Sequence, residues 1–156
     1  MSTIAEARDA VFSHFNTFWN AEVVSRSILT EAPYVVYQNV NFDPETDVKN
    51  WPQPYATSDV QHVTGGIASL GGSSRVFRRE GFVAIEIATL KGNKDTQGGT
   101  VLNDELVQVA MDAFDGVHLI GNIWFLNVFP IEAGPDEDGQ FFRTSVTAEF
   151  TYDEIK

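Results

Sequence analysis

The chain has no cysteine, which excludes a disulfide framework, a thiol nucleophile and any thiolate-held metal. It is also poor in cations, with ten Lys and Arg against twenty-two Asp and Glu and a formal charge of −12. A sequence-independent nucleic-acid binder needs basic side chains to displace phosphate counterions, and an acidic surface repels anionic membranes as well. Tight nucleic-acid binding and membrane association are therefore not expected. No apolar run approaches the roughly 18 residues that a membrane-spanning helix requires. Met1 leads directly into a polar, helix-starting segment, so no secretory signal is expected and the chain reads as made in a cytoplasm.

Motifs that carry chemistry are equally scarce. Residues 92–100 form a glycine-bearing stretch ahead of an expected helix, but they have neither the G-x-x-x-x-G-K-[ST] nor the G-x-G-x-x-G order. A loop presenting Lys91 and Lys94 to a protein partner is the favoured reading. His14, His62 and His118 fall on three different elements without metal-ligand spacing, so no metal site is expected. Glu132, Asp136, Glu137 and Asp138 depart from the calcium-loop pattern and read as a solvated acidic loop. There is no G-x-S-x-G, and no pair of carboxylates stands out among the many. Trp19, Trp51 and Trp124 suit a pocket, though Trp19 and Trp124 suit a core equally well. No catalytic residue and no cofactor is assigned, and the chain is not expected to be an enzyme.

What is present is the pattern of one α+β domain over residues 1–156. Hydrophobic residues make up 43% and aromatics 12%, enough for a sizeable core. Thr3 and Glu6 have capping-box spacing, and Ile4, Ala7, Val11, Phe15 and Phe18, widened by Phe12 and Trp19, form a helical stripe expected to end near Asn20. Residues 21–33 allow a short helix over 23–29. Strands are expected at 34–38 and 55–64, with loop between and a flexible connection across Gly65-Gly66 and Gly71-Gly72-Ser73-Ser74. Residues 75–79 and 82–90 read as a hairpin about Glu80-Gly81, the second arm apolar on both faces and so interior to a sheet. A helix is expected at 100–114, a bent strand or two short ones at 117–129, and an acidic loop at 130–140. The last segment alternates cleanly. Phe142, Thr144, Val146, Ala148, Phe150 and Tyr152 share one face, and Arg143, Ser145, Thr147, Glu149 and Thr151 the other. The sheet is thus expected to be mixed and mainly antiparallel, with an N-terminal helix and a second helix packed against it. Arg75, Arg78 and Arg79 are the one basic concentration. They read either as solvated strand ends or as an ionic contact with the acidic 132–138 stretch of a neighbouring copy.

Taken in order, these pieces resemble the tail terminator (tail completion) proteins of long-tailed bacteriophages. The likeness runs from the amphipathic helix through Tyr37-Gln38-Asn39-Val40-Asn41-Phe42-Asp43-Pro44 and Arg78-Arg79-Glu80-Gly81-Phe82. It continues through Ala113-Phe114-Asp115-Gly116 and Phe141-Phe142-Arg143-Thr144-Ser145-Val146 to Phe150-Thr151-Tyr152-Asp153-Glu154. The resemblance implies a hexameric ring that caps the tail tube, ends its polymerisation and offers a surface to the head–tail connector or neck protein. It also implies a place in the virion tail or neck. Two alternatives stay open: a small-molecule-binding enzyme of nuclear-transport-factor-2-like fold, which gathers its helices early, and another tail or neck subunit.

Overall fold

The computed structural model describes residues 3–49, 51–71, 74–91, 100–137 and 139–156. Helix α1, Ile4–Ser25, starts where the sequence says it should. Thr3 Oγ1 accepts from the Glu6 amide at 3.3 Å, and Glu6 Oε2 accepts from the Thr3 amide at 2.8 Å. The amide and hydroxyl of Thr3 hold the Glu6 carboxyl below the usual range. The helix runs past Asn20 to Ser25, because its buried line is Ala7, Val11, Phe15, Trp19 and Val23 rather than a line through Phe18. The separate helix allowed over 23–29 is absent; Ser27 adopts a left-handed conformation (φ 58°) just past the C-cap, Arg26.

Among the described residues six strands form one sheet: β1 (Tyr34–Tyr37), β2 (Tyr55–Gly71), β3 (Ser74–Leu90), β4 (His118–Leu119), β5 (Ile123–Pro135) and β6 (Phe141–Ile155). Their order is β1-β2-β3-β6-β5-β4, with β1 parallel to β2 and every other pair antiparallel. A one-turn helix α2, Pro44–Asp47, capped by Asp43, interrupts the expected 39–54 loop. Helix α3, Thr100–Asp112, follows β3 and packs with α1 on one face of the sheet. The expected fold class holds: α+β, a mixed and mainly antiparallel sheet, and two long helices against it. No helix among the described residues is long and apolar enough to cross a membrane.

Two expectations fail on the same ground. Glu80-Gly81 is not a turn, and residues 65–71 are not a loose connection, since β2 and β3 pair continuously from Tyr55↔Ala88 to Gly71↔Ser74. Gly81 is required by proximity. A Cβ there would lie 2.5 Å from the Gln61 carbonyl oxygen and 2.8 Å from Phe150 Cζ. The bulge beside it, between His62 and Thr64, bends β2 at that point. Likewise β5 continues through Pro135, so residues 130–135 are strand, and only the turn beyond them remains of the acidic loop.

The core lies between the helices and one sheet face. β3 sends Val83, Ile85 and Ile87 into it, β6 sends Val146, Ala148, Phe150 and Tyr152, and α3 adds Leu106, Val109 and Ala110. β3 is an interior strand as expected, but its other face (Phe82, Ala84, Glu86) is only half-buried. At one end of the sheet His62 sits on β2 with Tyr152 Oη 3.4 Å from its Nδ1, while its Nε2 is buried with no hydrogen-bond partner. Burial lowers the His62 pKa, and Arg8 on α1 and Arg79 on β3 lower it further.

Core truncation should be costly: Ile85→Ala or Leu106→Ala is expected to lose about 2–5 kcal/mol in denaturant unfolding. Gly81→Ala should lose about 1–3 kcal/mol by overpacking. Gly66→Ala, which meets nothing within 4 Å, should be near neutral, and equal costs at the two glycines would refute the close-approach account. Because the folded-state pKa of His62 lies below its unfolded value of 6.5, the unfolded chain takes up the proton first. Stability is then whole above about pH 6.5 and falls as pH drops through that value toward the lowered one. His62→Gln should remove this loss from denaturation midpoints measured between about pH 7.5 and about pH 5.

Candidate interaction surface

The sheet face turned away from the helices is unevenly covered. At one end Phe42 and Trp51 reach over it, and with Tyr55 and Phe141 they form an aromatic group with ring centroids 5.2 to 5.5 Å apart. Beyond that group the face is open. Register fixes what lies on it: Asp59, Ala84, Thr147 and Phe129 share one row, and Glu86, Ser145 and Ile131 the next. Trp124 pairs with Thr151 on the same face.

Four large apolar side chains of β5 stand in solvent along this edge: Trp124 (51% exposed), Leu126 (62%), Phe129 (39%) and Ile131 (53%). The bulge between Phe125 and Val128 separates two exposed pairs, keeping Phe125 in the core while Trp124 and Phe129 both face out. His118 stacks on Trp124 at 3.8 Å between ring centroids, and the tight β4–β5 turn lifts Ile120 almost wholly into water. Beyond Phe125 the outer edge of β5 has no backbone partner among the described residues. Pro130, Pro135 and the two bulges interrupt the edge, which disfavours open-ended strand pairing, while the apolar side chains remain presented. Trp124, expected in a pocket or core, belongs instead to this surface.

The residues singled out from the sequence are placed as follows. Arg78 binds Asp153 of the neighbouring strand through both carboxylate oxygens, at 2.9 and 3.1 Å, and Arg79 binds Glu154 at 2.9 and 3.1 Å. The Arg79 guanidinium holds the Glu154 carboxyl below the usual range, and Lys156 adds to this. Both arginines are thus engaged inside the chain, and Arg75 exchanges backbone hydrogen bonds with Lys156. Asp136 builds the turn before β6, its Oδ1 accepting from the amides of Gln140 and Phe141. Lys91 lies beside that turn, its amide donating to the Gln140 carbonyl. Glu132 and Glu137 are exposed, Glu132 on β5 rather than in a loop. Lys94 and Asp138 lie outside the described residues. The structure therefore brings Lys91 near the Asp136 turn, sends Arg78 and Arg79 to opposite faces of β3, and gathers no single site from the described members of the set.

His14, His62 and His118 remain apart, and among the described residues no group of three His, Asp or Glu could hold a metal. His14 Nε2 meets the Ala113 carbonyl, which ties α1 to the end of α3. Between helices and sheet lies the core of Val, Ile, Leu and Ala side chains with Phe15, Trp19, Phe114, Phe125, Phe150 and Tyr152. A shallow surface cleft of about 420 Å³ between residues 29–34 and residues 47–49, 53 and 54 contains the Glu31–Lys49 ion pair. The exposed β5 residues were not visible as a surface in the sequence, because 117–129 reads as strand with Trp124 in a pocket or core, and Ile131 falls in the expected acidic loop at 130–140. The mixed, nearly non-alternating run Leu126-Asn127-Val128-Phe129-Pro130-Ile131 was the only available sign of a bulged edge.

No protein-family model matches the chain, and no curated protein does. Among solved structures, one chain known only by a sequence identifier aligns with 93% of this chain and 94% of its own length, at 12% identity and a TM-score of 0.57. That similarity is one of fold. A chain from the virion of a native gene transfer agent particle aligns with 94% of this chain and 93% of its own, at 14% identity. Its TM-score of 0.49 is too low for function to be carried across.

Proposed function

We propose that this protein is a structural subunit of a phage-type virion that forms a ring, caps the tail tube and joins the tail to the head connector. The observation that carries the reading is the open, apolar-edged sheet face opposite a sealed helical layer, a surface that a lone soluble chain has no reason to keep. The order of sequence elements that resembles tail terminators supports it. An acidic subunit also suits a ring through which DNA passes, since phosphate is repelled rather than held. In this reading the partners are further copies of the chain, tail tube protein and a connector or neck protein, and the subunit performs no catalysis.

The position of α3, after three strands, departs from the early-helix arrangement of the pocket-enzyme alternative. A tube subunit would polymerise without limit, whereas a terminator stops at one ring. Negative-stain electron microscopy with sedimentation of the purified chain should show closed rings of about six copies and no filaments. Filaments would favour a tube subunit. A phage lacking the protein should make tails of uncontrolled length or tails that fail to join filled heads, and normal joined tails would contradict the proposal.

A further inference from the structure

The open sheet face has a charge pattern as well as an apolar strip. It carries Asp59, Glu80, Glu86, Glu149 and Asp153 against Arg78 and Arg143. Both guanidinium groups are already taken, Arg78 by Asp153 and Arg143 by Glu86 at 3.4 Å. Glu80 shares the Arg78 charge with Asp153, whereas Asp59 and Glu149 have no ion-pair partner among the described residues, Glu149 accepting from the Asn127 amide group at 2.7 Å. The result is an apolar strip along the β5 edge, Trp124, Leu126, Phe129 and Ile131, with the carboxylates of Glu149 on β6 and Asp59 on β2 inboard of it.

A second copy of this chain is a poor match for those carboxylates. The arginines at 26, 78, 79 and 143 are ion-paired within their own chain, and the chain as a whole carries −12. Bringing two such acidic surfaces together adds like-charge repulsion to the desolvation of each carboxylate. An apolar surface flanked by Lys and Arg covers the strip while neutralising the carboxylates beside it. We infer that the open face docks a protein other than itself, whose contact surface sets an apolar strip beside Lys and Arg side chains. The inference rests on the proposed role only in that a tail-capping subunit must meet a second kind of protein; the surface chemistry stands by itself.

The probe is a short synthetic peptide alternating Lys and Leu, compared with its Glu-for-Lys counterpart, each titrated against the full chain by calorimetry. The Lys peptide should bind wild type at least about tenfold more tightly than the Glu peptide. The Phe129→Ser/Ile131→Ser variant, its net charge unchanged and its circular dichroism native, should lose at least about tenfold in affinity for the Lys peptide. Leu126→Ser gives a second, smaller truncation of the same strip should the double variant misfold. Equal affinity of wild type and variant would show that the peptide follows net charge alone and would overturn the assignment. Sedimentation of the same variants separates the two proposals. An oligomer of wild-type mass leaves the face to a foreign partner, as inferred, whereas loss of the oligomer would make a second copy the occupant and overturn the inference while sparing the ring. If wild type is itself monomeric, the ring reading fails and the peptide comparison still decides the surface.

Discussion

A continuous run of aromatic contacts holds the two layers together, and the rest of the molecule depends on it. Phe15 of α1 stacks on Phe114 at 5.8 Å, Phe114 meets Phe125 of β5 at 4.8 Å, and Phe125 meets Phe150 of β6 at 6.0 Å. Phe150 in turn lies on Tyr152, which reaches His62 of β2. These rings bridge helix, inter-element turn and strands far apart in sequence. Each large buried ring brings substantial apolar area, and edge or offset contacts add about 0.5–1.5 kcal/mol apiece. Gly81 is part of the same arrangement, since Phe150 occupies the space its side chain would need.

The aromatic run lies on the helical side of the sheet, and the opposite face keeps the apolar side chains of β5 in solvent. Phe125 must point inward to meet Phe114, so pleating sends Trp124 outward. The bulge at residues 126–127 then resets the alternation so that Phe129 and Ile131 face out with it. The exposed strip is thus a geometric consequence of how β5 completes the core. The buried polar group Asn103 fixes α3 over this layer, donating to the Ile87 carbonyl and Thr89 hydroxyl and accepting from the Thr144 hydroxyl. A satisfied network of that kind sets the position of the helix.

Much of the fold was legible because burial wrote a period into the sequence. The capping box of Thr3 and Glu6, the helical line through Phe15, and the alternation of β6 all reflect elements with one wet face and one dry face. Residues 65–71 carry no such record. They form a two-stranded arm with exposed residues such as Gly66 and Ile67, so no alternation was selected and the glycines looked like a connection. Gly81 was misread for a different reason: a glycine needed for close approach and a glycine needed for a turn look identical until the neighbours are known. The arginines illustrate the limit for surfaces. Their clustering was visible, but their partners Asp153 and Glu154 lie some seventy-five residues away and meet them only through β3–β6 pairing. The apolar strip was hidden by its own composition, since exposed and buried strands of Trp, Phe and Ile look alike.

The central claim, that the protein works by being built into a particle through its open sheet face, is tested most directly by site-specific photo-crosslinking during particle assembly. A benzophenone side chain at Phe129 would report from the β5 strip, and one at Thr17, on the exposed side of α1, would report from the helical layer. The account predicts a discrete crosslink from position 129 to another virion protein in finished particles, and little or none from position 17. Crosslinks from position 17 alone, or finished particles in which the probe at 129 stays free, would contradict it.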